Sequence, residues 1–113
     1  QVACGIQPLQ TVRTTRRVDE IAGKGKGAEW NAYWIKRGLE ELEEIVKKTA
    51  GKYSVGDAVT IGDVTLPSIL YNARRWSVDV SAFPTLLSIE KNLEALPAFA
   101  AAHPTQQPDA PKQ

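Results

Sequence analysis

Among its 113 residues the chain has no methionine, one cysteine and one histidine. A lone Cys4 cannot close an internal disulfide, which suits a reducing, cytoplasmic compartment. No pair of cysteines or histidines stands at zinc-ligand spacing, so no metal site is expected. No apolar run approaches the roughly 18 residues a membrane helix needs, and the start carries no signal-peptide pattern. An excess of one charge is also missing. Fourteen basic residues stand against 13 acidic ones, a net charge of +1, which argues against a global nucleic-acid footprint. Sustained period-two alternation is absent, so no strands are expected. The missing methionine bears on the beginning of the chain as well. It opens on Gln1 and the apolar Val2-Ala3-Cys4, which reads as a processed chain or a fragment.

What is present is enough for one helical domain. Hydrophobic residues make up 42% and charged residues 24%, the ordinary balance of a soluble domain with a core. The chain is organised around Thr60 to Trp76. Thr60-Ile61-Gly62-Asp63 has the form of a capping box, with the acid three residues after the cap. Val59 and Val64 are placed for a hydrophobic staple. Val64, Leu66, Ile69, Leu70, Ala73 and Trp76 then follow helical spacing. Pro67 should bend this helix near its beginning.

The other segments follow from the same signals. Residues 1–22 read as a flawed helix with Ile6, Leu9, Val12 and Ile21 on its apolar face. It is either kinked at Gly5–Pro8 or begins there with Pro8 in its first turn. Gly23-Lys-Gly-Lys-Gly27 reads as a flexible linker, because a phosphate cradle would need a preceding strand and the Walker spacing. Residues 28–50 form a long amphipathic helix. Trp30, Trp34, Gly38, Leu42, Ile45 and Val46 make its buried stripe, and Glu43–Lys47 and Glu44–Lys48 pair on its solvated face. Gly38 points to the close approach of another helix backbone, and Gly51 to a C′ terminator. Residues 51–59 form a loop. A helix opened by Pro84 runs to about Leu96, a short one starts at Pro97, and residues 103–113 form an extended, proline-rich tail.

Several blocks carry a resemblance. Gly5-Ile6-Gln7-Pro8-Leu9-Gln10, Gly38-Leu39-Glu40-Glu41-Leu42-Glu43, Tyr71-Asn72-Ala73-Arg74-Arg75-Trp76, and His103-Pro104 with Gln107-Pro108-Asp109 occur in one order along the chain. Together they resemble the C-terminal domain of zeta-class glutathione transferases, the maleylacetoacetate isomerases. The sequence departs from that pattern at Gly62, commonly Ala in the family. It departs again at Pro67, which comes one residue early, and in the longer 14–27 connection. The resemblance implies an all-α bundle of about five helices over residues 1–113, whose thioredoxin-like N-terminal domain is absent. It implies a homodimer using glutathione to isomerise a small diacid, maleylacetoacetate, to fumarylacetoacetate in tyrosine and phenylalanine catabolism. The glutathione thiolate adds beside the cis double bond, rotation follows, and elimination returns glutathione. The absent half would activate that thiol, so no catalytic residue is expected here and this chain alone should be inactive. A non-catalytic protein-interaction module is the alternative.

The resemblance assigns Arg75 to the substrate, since a guanidinium pairs well with a carboxylate. Read without it, Arg75 is a cation favoured near a helix C-terminus. Gln7 matches a glutathione contact, and Thr11, Val12 and Arg13 match a second contact segment whose residue types differ from the family's. Arg74 should face elsewhere, because successive helix positions differ by about 100°. Asp63 is read as a structural cap, Cys4 as a small buried residue, and His103 as part of a surface tail. Trp30 and Trp34 are read as core.

Overall fold

The long central helix is the spine on which the N-terminal pieces and the next two helices lean. The computed structural model describes residues 1–110. Pro111 of the predicted tail lies outside them. Five α-helices are described: α1 Val12–Ala22, α2 Lys26–Val46, α3 Ile61–Arg75, α4 Pro84–Glu94 and α5 Pro97–Ala101. No strand forms among the described residues; a single bridge joins Ala50 to Gly56. The core is a cluster from Ile6, Ile35, Leu39, Ile69, Leu70, Phe83, Leu86, Ile89 and Leu93, contributed by the N-terminal turn, α2, α3, α4 and the connection before it. Fully burying each such side chain is worth about 1.5–3 kcal/mol.

The first 22 residues are three pieces, not one flawed helix. A π-helical turn, Val2–Ile6, leads into a 3-10 turn, Gln7–Gln10, with Pro8 near its start. One break falls at Ile6–Gln7, inside the expected Gly5–Pro8 stretch, and a second follows at Thr11. Thr11 is extended (φ −65°, ψ 151°) and caps α1 by accepting a hydrogen bond from Thr14 N–H. No residue of α1 is buried, and Val12 and Ile21 are 67% and 70% exposed, which overturns their place on an apolar face. Helix α1 instead folds back antiparallel on α2 through polar contacts. Asn31 Nδ2 donates to Thr15 Oγ1 at 3.0 Å, and Gly27 N–H donates to Asp19 Oδ1 at 2.8 Å. Trp30 Nε1 donates to the Leu9 carbonyl at 2.8 Å.

Helix α2 is rotated relative to the stripe read from its sequence. Its buried residues are Gly27, Asn31, Ile35, Gly38, Leu39, Glu43 and Val46, whereas Trp30 and Trp34 are half-buried at the flank and Ile45 is 53% exposed. Gly38 is required by close approach, but to a side chain and not to a helix backbone. A Cβ there would overlap Ile6 Cγ1 and Cδ1. The helix ends at Val46 with Lys47 as its C-cap, so Gly51 is not the C′ residue. Lys47 takes Glu44 at 2.8 Å and reaches Glu43 at 3.9 Å, in place of the Glu44–Lys48 pair expected from spacing.

Glu43 departs furthest from its expected place. Its side chain is 4% exposed, and its two oxygens accept the N–H groups of Thr85 and Leu86 at 3.0 Å each. Helix α4 begins at Pro84 with Phe83 at its N-cap, and Phe83 makes no side-chain cap. A carboxylate from α2 therefore satisfies donors that the helix start leaves free.

Helix α3 runs unbroken through Pro67 and buries Leu66, Ile69, Leu70 and Ala73 along one face. Its capping box forms. Asp63, fully buried, accepts from Thr60 N–H (2.8 Å), Thr60 Oγ1 (2.9 Å) and Ser54 N–H (2.9 Å). Burial pushes this carboxyl upward, but the hydrogen bonds from Ser54 and Thr60 overcome it and hold it below the ordinary Asp range. The staple does not bury its pair, since Val59 and Val64 are both exposed. Beyond α5 the tail is not simply extended: Pro104–Gln106 make a 3-10 turn capped by His103.

Candidate functional site

Arg75 is the last residue of α3, and the backbone fixes where that helix stops. Ser77 N–H donates to Arg74 O at 3.1 Å and Val78 N–H to Ala73 O at 2.9 Å. These are the paired bonds of a Schellman ending. Ser77 supplies the left-handed residue with φ 58°, a conformation that costs a non-glycine residue about 1–2 kcal/mol. Val78 and Ala73 are both buried, the apolar pairing that accompanies such endings. The Arg75 guanidinium sits 5.8 Å from the Trp76 ring centroid, within cation–π range. It has no carboxylate partner among the described residues. An exposed guanidinium at a fixed helix end, with its charge uncompensated, is suited to hold an anion.

Arg74 faces elsewhere, as the roughly 100° step between neighbours requires. Its two terminal nitrogens donate to Glu90 Oε1 and Oε2 at 2.8 and 2.6 Å, a bidentate pair across to α4. The hydrogen bond to Glu90 holds the Arg74 guanidinium above its ordinary value. A groove of about 350 Å³ between α3, α4 and α5 is lined by Tyr71, Arg74, Glu90, Phe99 and His103 among others, and not by Arg75. In it His103 meets the Tyr71 ring edge-to-face, with centroids 6.4 Å apart. Its Nδ1 lies 2.8 Å from Thr105 Oγ1, a local contact that engages the ring within the tail.

The other candidate residues lie on the N-terminal pieces. Gln7 opens the 3-10 turn, exposed and with no side-chain hydrogen bond among the described residues. The Thr11 hydroxyl is engaged in capping α1, with Thr14 N–H at 3.3 Å and Thr14 Oγ1 at 2.9 Å. Val12 and Arg13 line an open groove along α1 with Arg16, Arg17 and Trp30; neither Gln7 nor Arg75 belongs to it. The candidates are therefore not gathered into one cavity of this chain. The Val2–Ile6 turn that precedes Gln7 packs on α3, whereas the Gln7–Gln10 turn itself packs on α1 and α2.

Some residues escaped the sequence reading. The Gln10 amide is buried with neither its nitrogen nor its oxygen partnered, and the Trp34 indole N–H is likewise unpaired. Such groups are rare in folded chains. The available signal was Gln10's place in the Gln7-Pro8-Leu9-Gln10 block. Cys4 is exposed, contrary to expectation. Among the described residues no cluster of three metal-ligating side chains forms, and no helix is long and apolar enough to cross a membrane.

Residues 18–102 match the family model described as "Glutathione S-transferase, C-terminal domain". The chain belongs to this family. It is 43% identical over 112 residues to the maleylacetoacetate isomerase of Rattus norvegicus, covering 99% of this chain and 50% of the rat protein. Among solved structures, it matches a maleylacetoacetate isomerase from Anaeromyxobacter dehalogenans with bound GSH in the active site. There the TM-score is 0.94 at 44% identity, covering 97% of this chain and 50% of that one. A second structure of that enzyme, with dicarboxyethyl glutathione and citrate in the active site, gives a TM-score of 0.95 at 43% identity, covering 98% of this chain and 51% of that one. The chain spans about half the length of the relatives it matches. The all-α glutathione-transferase C-terminal architecture expected from the sequence is the one observed.

Proposed function

We propose that this chain is the substrate-side helical domain of a glutathione-dependent cis–trans isomerase. The full-length protein converts maleylacetoacetate to fumarylacetoacetate in tyrosine and phenylalanine catabolism, has glutathione transferase activity, and works as a cytoplasmic homodimer. A thioredoxin-like N-terminal half completes the active site. The observation that carries this reading is the superposition of nearly the whole chain on an isomerase holding GSH, at 44% identity.

Glutathione, when bound, supplies the thiolate that adds beside the cis double bond and leaves after rotation. The residues here bind and orient. Arg75 takes a carboxylate of the diacid in a two-pronged hydrogen bond. The citrate in the active site of the neighbouring isomerase is itself a polycarboxylate, the class of anion a guanidinium binds well. Gln7 offers a free amide to the peptide groups of glutathione. The unpartnered amide of Gln10 in the same turn marks this segment as one whose polar groups await an outside partner. Thr11, Val12 and Arg13 form a further contact segment, with Arg13 its charged member.

The test uses the full-length protein. Losing a charge-assisted bond of about 1.5–3 kcal/mol in Arg75→Ala should raise KM for maleylacetoacetate about 10- to 100-fold. The 113-residue chain alone should show no turnover. An unchanged KM and kcat in Arg75→Ala removes Arg75 from the site, and isomerase activity in the isolated chain would place the thiol-activating chemistry elsewhere than assumed.

A further inference from the structure

The geometry points to Glu90 and Arg74 as a positioning pair that aims Arg75. This rests on the reading of Arg75 as the substrate's carboxylate anchor and adds how that anchor is held. Three observations combine. The Arg74–Glu90 contact is bidentate at 2.8 and 2.6 Å, and the Glu90 side chain is 8% exposed. It ties the last turn of α3 to the middle of α4, since Arg74 is the next-to-last residue of α3. Helix α4 is itself anchored by the Glu43 carboxylate at Thr85 and Leu86 N–H, 3.0 Å each. The last turn of α3 is thus braced through α4 to α2 at a residue adjacent to Arg75.

The brace acts on the roll of that turn about the helix axis. The Schellman bonds fix where the helix ends, but they lie within the local backbone and do not fix how the turn faces its neighbours. Side chains stand roughly 5–6 Å from a helix axis, so a roll of about 10° moves a guanidinium by about 1 Å. A two-pronged guanidinium–carboxylate contact is specific in its geometry, so displacement on that scale weakens it. The pair also keeps Arg74 turned away, so one guanidinium and not two is presented on the Arg75 side. Arg74 and Glu90 touch no reacting atom; they act through Arg75.

The test uses the full-length protein with maleylacetoacetate and glutathione as substrates. Glu90→Gln keeps the side chain's shape and removes the ionic, bidentate contact. It should raise KM for maleylacetoacetate about fivefold while leaving kcat and the KM for glutathione within about twofold. In an Arg75→Ala background the same change should add nothing. The charge-swapped double variant Arg74→Glu with Glu90→Arg rebuilds the brace and should return KM towards wild type, which also covers the case in which Glu90→Gln folds poorly. A merely structural role would lower the melting temperature and the active fraction, and so kcat, without moving KM. The positioning role is overturned if Glu90→Gln leaves KM unchanged, or if it raises KM equally with and without Arg75. If Arg75→Ala itself leaves KM unchanged, the anchor reading falls and the positioning role with it. If Arg75→Ala raises KM and Glu90→Gln does not, the positioning role alone falls.

Discussion

Removing the Glu43 carboxylate tests whether α2 and α4 are joined through one buried charge. Its oxygens accept two backbone N–H groups at 3.0 Å, and Lys47 at 3.9 Å contributes a second, partly exposed charge. Hydrogen bonds to a charged group contribute about 1.5–3 kcal/mol each, and a carboxylate at a partly buried helix N-terminus gains up to about 2 kcal/mol from the dipole. These contributions overlap and do not add. Glu43→Gln keeps the volume and one acceptor oxygen but loses the charge and leaves one N–H short, for an expected loss of about 1–3 kcal/mol. Glu43→Ala removes the side chain's packing as well and leaves the buried Leu86 N–H and the part-buried Thr85 N–H without partners, so about 3–4 kcal/mol is expected. Against the roughly 5–15 kcal/mol of a typical domain, that is a large share.

Urea denaturation followed by the fluorescence of Trp30, Trp34 and Trp76 reads the loss directly. The midpoint should fall in the order wild type, Gln, Ala, with little change in the slope. Losses below about 0.5 kcal/mol in both variants, the range of exposed sites, would refute the buried cap. They would return Glu43 to the solvated face that its helical spacing alone suggests.

Two further outcomes follow from the same contacts. Asp63 is held below the ordinary Asp value of 3.8, so its contribution is present above that pH and is lost as pH falls through the lower folded value. Asp63→Asn should flatten the acid limb of the stability–pH curve below about pH 4; an unchanged limb would mean that the Ser54 and Thr60 bonds do not favour the charged form. Gly38→Ala gains about 1 kcal/mol of helix propensity but drives a methyl into Ile6, for a net loss of about 1–3 kcal/mol. Adding Ile6→Ala should make the pair less than additive in urea melts, whereas strict additivity would mean the two residues do not touch.

What could be read beforehand divides along the range of the contacts. The start of α3 was legible because Thr60 and Asp63 cap locally, three residues apart, and Pro84 and Pro97 opened helices where fixed backbone geometry favours it. The buried face of α2 was not, because two of its residues, Asn31 and Glu43, are polar. A hydrophobic pattern has no way of crediting them, and the flanking Trp30 and Trp34 pull the apparent stripe towards themselves. Glu43 finds its partners 42 and 43 residues further along, and no periodicity within α2 encodes them. The same holds at the site. The sequence block around Arg75 marked the residue through a resemblance, but the Schellman ending at Ser77, a non-glycine in the left-handed region, carries no turn signature. The Arg74–Glu90 brace joins two charges 16 residues apart, a separation that no spacing within one helix encodes.

The two parts of the candidate site are therefore held by different means. Arg75 rides on a helix whose beginning is fixed by the Asp63 box, whose middle is buried through Leu66, Ile69 and Leu70, and whose end is closed by backbone bonds and tied to α4. Groups mounted on such an element reach their ligand with little left to order. Gln7 sits on a 3-10 turn, followed by a helix that buries no residue and is attached to α2 by polar contacts. Few buried apolar contacts mean a low local free energy of opening. Binding on the Gln7 side must then offset ordering that binding at Arg75 does not incur.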